Sequence, residues 1–174
     1  MKINIDENIE LSNIFKTRTK NIKTIKGKSV LTEKKIAIVA GQWHSSIINK
    51  LLLGSLDTIN EAGIPENQVE IIYVPGAYEI PLALKKIACS NEYSAAVTLG
   101  VVIKGDTPHF DFVAGECSKG ISSISLENDF PVGFGVLTVN TIEQALERAK
   151  EGEENKGREA TLAALEMADL MGKI

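Results

Sequence analysis

The stretch Gly105-Asp106-Thr107-Pro108-His109-Phe110-Asp111-Phe112 concentrates groups that can do chemistry. Gly105 permits a tight turn. The Asp106 and Thr107 backbone N–H groups, with the Thr107 hydroxyl, can cradle phosphate oxygens. The Asp106 carboxylate must then point away, because it would repel the anion. His109 can take or donate a proton near neutral pH, or simply cap the helix that follows. Trp43 offers an indole face to a planar heterocycle, although a tryptophan also packs against a neighbouring helix. His44 beside it reads as a surface or cap residue. In Pro75-Gly76-Ala77-Tyr78-Glu79 the small residues expose backbone groups that could read the imide edge of a pyrimidine. Glu79 can accept hydrogen bonds from ligand hydroxyls or a ring nitrogen, or favour the positive end of a helix. Arg148 suits phosphate because its guanidinium makes two parallel contacts. Lys156 opens a helix, where dipole logic disfavours a cation; a ligand or a cross-subunit contact would explain it. Arg158 reads as solvated surface.

These residues need a scaffold that gathers them. Ile36 to Ala40, Val69 to Val74, Ala95 to Ile103 and Pro131 to Leu137 read as short, continuous apolar strands. Helical patterns follow each of them: about 45–62, 80–89, 110–128 and 141–150, then 156–171. Ser45 or Ser46 is the expected cap of the first of these helices. Cys89 and Cys117 fall on apolar helix faces, where packing is the default. Strands that are buried on both faces and alternate with crossover-length helices predict a parallel sheet covered by helices. Right-handed crossovers then give a three-layer α/β sandwich of flavodoxin-like form, with four parallel core strands. The loops after the four strands share one edge of that sheet, the edge where ligands of such folds bind. Residues 1–20 read as an irregular, flexible extension, and 21–174 as a single domain. The segment near Ile22 to Val30 could be a strand, which would need this sheet or a neighbour's.

Composition sets limits. The chain has 174 residues, 44% hydrophobic and 24% charged, with a formal net charge of -4. That predicts one globular domain and disfavours bulk nucleic-acid binding. Two cysteines build neither a disulfide framework nor a metal cluster, and a reducing, cytoplasmic setting is expected. No run reaches membrane-spanning length without polar interruption. The dinucleotide glycine fingerprint is missing after the first strand.

Taken in order, Val74-Pro75-Gly76-Ala77-Tyr78-Glu79-Ile80-Pro81, Leu99 to Asp111, Pro131 to Leu137, Glu143 to Ala149, Asn155-Lys156-Gly157 and Ala164 to Ala168 resemble the lumazine synthase family over about Lys35 to Leu170. The resemblance implies a transferase of riboflavin biosynthesis. It would join 5-amino-6-ribitylaminouracil to 3,4-dihydroxy-2-butanone 4-phosphate, without metal or organic cofactor. By the same resemblance Trp43 stacks on the pyrimidine, and Ala77, Tyr78, Glu79, Val101, Ile103 and Lys156 line the substrate. Phe134 would come from a neighbouring subunit. Gly105, Asp106, Thr107 and Arg148 hold phosphate, and His109 is the acid/base group. The family's sites lie between subunits of a homopentamer, some members build icosahedral capsids, and the N-terminal strand joins the neighbour's sheet. Riboflavin synthase is a candidate partner. His44 stands where many members carry asparagine, Tyr78 replaces the commoner phenylalanine, and Lys104 replaces the usual arginine. A non-catalytic lumazine- or flavin-binding protein, or a shell-forming one, is the alternative reading; the first would need neither His109 nor Arg148.

Overall fold

Four apolar runs become one parallel sheet. The computed structural model describes the backbone of residues 5–30, 32 and 34–174. Strands β1 (Lys35–Gly41), β2 (Val69–Val74), β3 (Tyr93–Ile103) and β4 (Val132–Val139) lie in the order β2-β1-β3-β4. All neighbouring pairs run parallel. Helix α1 (Ile5–Arg18) precedes the sheet. Helices α2 (Ser45–Glu61), α3 (Ile80–Ala88), α4 (His109–Glu127), α5 (Ile142–Arg148) and α6 (Lys156–Met171) follow from its strands.

A strand points alternate side chains to opposite faces, so β1 and β3 each feed two cores. Ile36, Ile38, Ala95, Val97 and Leu99 pack with Leu51 of α2 and Leu165 of α6. Ala37, Val39 and Ala96 pack with Leu84 of α3 and with Cys117 and Ile121 of α4. This explains why β1 and β3 read as near-continuous apolar runs and do not alternate, whereas the outer strands β2 and β4 are partly exposed. The result is the expected three-layer α/β sandwich with a four-stranded parallel sheet, consistent with the flavodoxin-like form. Helix α6 lies unusually close to α2: a Cβ on Gly157 would stand 2.0 Å from the Leu51 carbonyl oxygen.

One expectation is corrected. Within the extension expected to be irregular, residues 5–18 form α1. Its side chains from Ser12 to Arg18 are all exposed, so over those residues there is no buried stripe for a sequence period to reveal. Residues 1–4 lie outside the described residues. The segment from Ile22 to Val30 forms no strand within the chain. It runs against α6, where the Lys28 N–H donates to Asp169 Oδ2 at 2.7 Å and Lys173 Nζ donates to the Lys26 carbonyl at 3.1 Å. Helix α6 packs over β3 and β4, the half of the sheet away from the open edge of β2.

The sheet edge opposite the strand C-termini holds a polar cluster. Lys35 Nζ contacts Glu70 Oε1 at 2.5 Å, and the Tyr93 hydroxyl donates to the other Glu70 oxygen. The Glu70 carboxylate pushes the Tyr93 phenol up to about 12, with partial burial adding to the shift. A raised folded-state value favours the protonated phenol in the fold. Its stabilisation is therefore complete below the ordinary value of 10.0 and is lost as pH climbs from there toward 12. Urea unfolding midpoints should fall more steeply across that window in the native protein than in Tyr93→Phe. Parallel curves for the two proteins would contradict the assignment.

Candidate active site

The loops after β1, β2 and β3 converge on one cleft of about 200 Å³. Trp43, His44, Ala77, Val101, Ile103, Gly105, Thr107 and His109 line it, together with Val102, Phe110 and Val113. The first two loops are tied by backbone bonds: the Gln42 N–H donates to the Val74 carbonyl at 2.9 Å, and the Trp43 N–H donates to the Pro75 carbonyl at 3.3 Å. The indole lies against Gly76, where a Cβ would come within 2.7 Å of the ring. Trp43 is nonetheless 59% exposed, so a broad aromatic face stays open to a ligand.

The third loop is anchored by the Lys104 N–H, which donates to the Val139 carbonyl at 2.9 Å. Pro108 is the N-cap of α4 and His109 its first residue, so the imidazole stands at the mouth of a helix N-terminus. Gly105 does not use the left-handed freedom of glycine. Its φ is not left-handed, and an added Cβ would meet nothing within 4 Å. The protein's own packing does not require glycine there. Thr107 and His109 share the cleft as expected, whereas Asp106 is exposed and not among the residues lining it.

Glu79 serves the loop itself. Its Oε2 accepts the Gly76 N–H at 2.9 Å, which fixes the turn before α3. Neither Glu79 nor Tyr78 lines the cleft, and Tyr78 is 56% exposed. Cys117 on α4 is fully buried, and its thiol is pushed up to about 11, chiefly by burial and then by the Glu79 charge. It is a packing group.

Phe134, Arg148 and Lys156 are not in this cleft. They line a second cavity, also about 200 Å³, formed by β4 and the facing ends of α5 and α6. Arg148 Nη1 donates to the Gln144 carbonyl at 3.0 Å. Lys156 Nζ meets both oxygens of Glu159 at 2.7 Å. Arg158 forms a forked pair with Glu61 at 2.9 and 2.6 Å, joining α6 to α2, and so is more than solvated surface.

His44 is a cap residue, one of the two roles expected for it. It is the N-cap of α2, in the left-handed region with φ 59 and ψ 43, and its carbonyl receives the Ile47 and Ile48 N–H groups. Neither Ser45 nor Ser46 is the cap; both are helical. Val102, Phe110 and Val113 also line the cleft without having been singled out, although Val113, one turn on in α4, shares a helix face with His109. Among the described residues no group of three or more His, Cys, Asp or Glu could hold a metal ion, and no helix is long and apolar enough to cross a membrane.

The family model for 6,7-dimethyl-8-ribityllumazine synthase matches residues 33–172, which take in the whole sheet and every helix from α2 to α6. With the match covering most of its length, this chain belongs to the 6,7-dimethyl-8-ribityllumazine synthase family and has the general lumazine synthase activity of that family.

Proposed function

We propose that this chain condenses 5-amino-6-ribitylaminouracil with 3,4-dihydroxy-2-butanone 4-phosphate to give 6,7-dimethyl-8-ribityllumazine, releasing phosphate and water. The supporting observation is that Trp43, Thr107 and His109 share one cleft at the ligand-binding edge of a parallel sheet. The pyrimidine stacks on Trp43, with Ala77, Val101 and Ile103 as the apolar walls and Tyr78 and Glu79 at the rim. The phosphate sits on the Gly105-Asp106-Thr107 loop and meets Arg148. The ring amine attacks the ketone, and loss of water leaves an imine. Phosphate departs by elimination, and ring closure with loss of a second water gives the product. His109 moves protons in these steps. Each is an addition, an elimination or a dehydration, so the reaction calls on no redox or metal cofactor.

Within one chain the Trp43–His109 cleft and the Phe134–Arg148–Lys156 cavity have no lining residue in common. A complete site therefore draws the second set from an adjacent copy, and the working form is a homo-oligomer of at least a pentamer. The N-terminal segment would pair with the neighbour's sheet in that assembly.

The test is phosphate release and lumazine absorbance after mixing both substrates with protein, corrected for the uncatalysed reaction. Both products should form in proportion to protein. Binding without turnover would replace this reading with that of a lumazine-binding protein. His109→Ala should lower kcat by about one to two orders of magnitude. Activity should persist, because holding two reactants in register is itself a large acceleration. A folded His109→Ala protein with unchanged kcat, or with none left, would contradict the proton-shuttle role.

A further inference from the structure

The Asn155-Lys156-Gly157 motif contains a residue that the proposed reaction does not use. Asn155 is polar yet only 1% exposed. Its Oδ1 accepts the Gly157 N–H at 2.9 Å and the Arg158 N–H at 3.3 Å, which caps α6. Capping asks nothing more of the side chain. Its Nδ2 nevertheless reaches three further carbonyls: Ala149 at 3.0 Å, Lys150 at 3.1 Å and Lys50 of α2 at 3.1 Å.

Those partners are informative. Ala149 directly follows Arg148 at the end of α5, and Gly157 directly follows Lys156 at the start of α6. One buried amide thus holds the backbone beside both cations and references both to the rigid frame of α2. Arg148 and Lys156 line the same cavity. Residues 150–154 between them are exposed. Apart from the backbone bond from the Asn155 N–H to the Gly152 carbonyl, that segment is tied by Lys150 pairing with Glu147 and Glu154. Exposed ion pairs of this kind hold geometry weakly.

We propose that Asn155 is a positioning residue: it fixes the spacing of the Arg148 and Lys156 side chains and so shapes the seat of the substrate phosphate. The inference rests on the phosphate-site reading above. Asn155→Ser separates its two tasks, because serine still caps α6 but cannot reach the three carbonyls. Asn155→Asp is the second variant; it keeps the shape and the cap while turning a carboxylate toward the same carbonyls.

Steady-state kinetics with each substrate varied in turn supply the readout. Either variant should raise the KM for the phosphate-bearing substrate by about ten-fold, the cost of a modest misplacement of binding groups. Inorganic phosphate should weaken as an inhibitor in parallel, with the pyrimidine KM little changed. Ile59→Ala, a core truncation near the far end of α2, is the control for general destabilisation and should not produce this split. A variant that leaves the phosphate-substrate KM unchanged, raises both KM values alike, or lowers kcat alone would overturn the proposal. Arg148→Ala, assayed alongside, distinguishes the two levels. If it raises that KM while neither Asn155 variant does, only the positioning role fails; if it too has no effect, the phosphate-site reading fails and the positioning role falls with it.

Discussion

Arg148→Ala is expected to raise the KM for the phosphate-bearing substrate by about two orders of magnitude, with a much smaller effect on the pyrimidine. A guanidinium gripping phosphate makes two charge-assisted hydrogen bonds, and losing both is worth about 3 kcal/mol, or roughly a hundred-fold. The setting is favourable before any ligand arrives. Arg148 ends α5, where the helix dipole welcomes a cation, and its bond to the Gln144 carbonyl steadies the side chain. Both interactions are exposed and so worth little, and stability should change only slightly in Arg148→Ala. Arg148→Lys should recover only part of the loss, since a point charge lacks the planar fork. Equal KM values for native protein and Arg148→Ala would remove Arg148 from the site.

The largest effect on stability is expected at Gly157. An alanine Cβ there would stand 2.0 Å from the Leu51 carbonyl oxygen and 2.7 Å from its carbon. Both are backbone atoms of α2, so no side chain can rotate away; the two helices must part. Their separation would disturb Ser55, whose hydroxyl donates to the Gly157 carbonyl at 3.1 Å, and the buried contact between Leu51 and Leu165. Gly157→Ala should cost about 3 kcal/mol or more, the upper range for overpacking a core. A urea midpoint within error of the native protein would show that the α2–α6 contact has slack.

The sheet was legible in the sequence because its two central strands are buried on both faces: Ile36 to Ala40 and Ala95 to Ile103 admit no other simple reading. The cleft was legible for a related reason. Parallel strands send Trp43, Ala77 and His109 to the same edge whatever their detailed packing. The separate grouping of Phe134, Arg148 and Lys156 was not legible. The strand order places β4 at the outside of the sheet, so Phe134, Arg148 and Lys156 gather in a cavity of their own. Strand order is a tertiary outcome that hydrophobic period does not encode. His44 was legible as a cap candidate beside Ser45 and Ser46, but its left-handed backbone and its lack of a side-chain capping bond were not. Glu79 shows the converse: its dipole-friendly place was visible, but its bond to the Gly76 N–H depends on the exact path of a four-residue turn.

The contacts of α6 also bear on how the chain acquires its fold during synthesis. Asn155 reaches Lys50, Arg158 reaches Glu61, and the backbone at Ala160 abuts Gly133 of β4, so the last helix of the domain closes a core begun by one of its earliest. Until α6 emerges from the ribosome, one whole face of the nascent sheet has only part of its cover. Native burial of that face is thus deferred until α6 has been synthesised, and the chain at that stage presents apolar surface to chaperones and to its neighbours on the polysome.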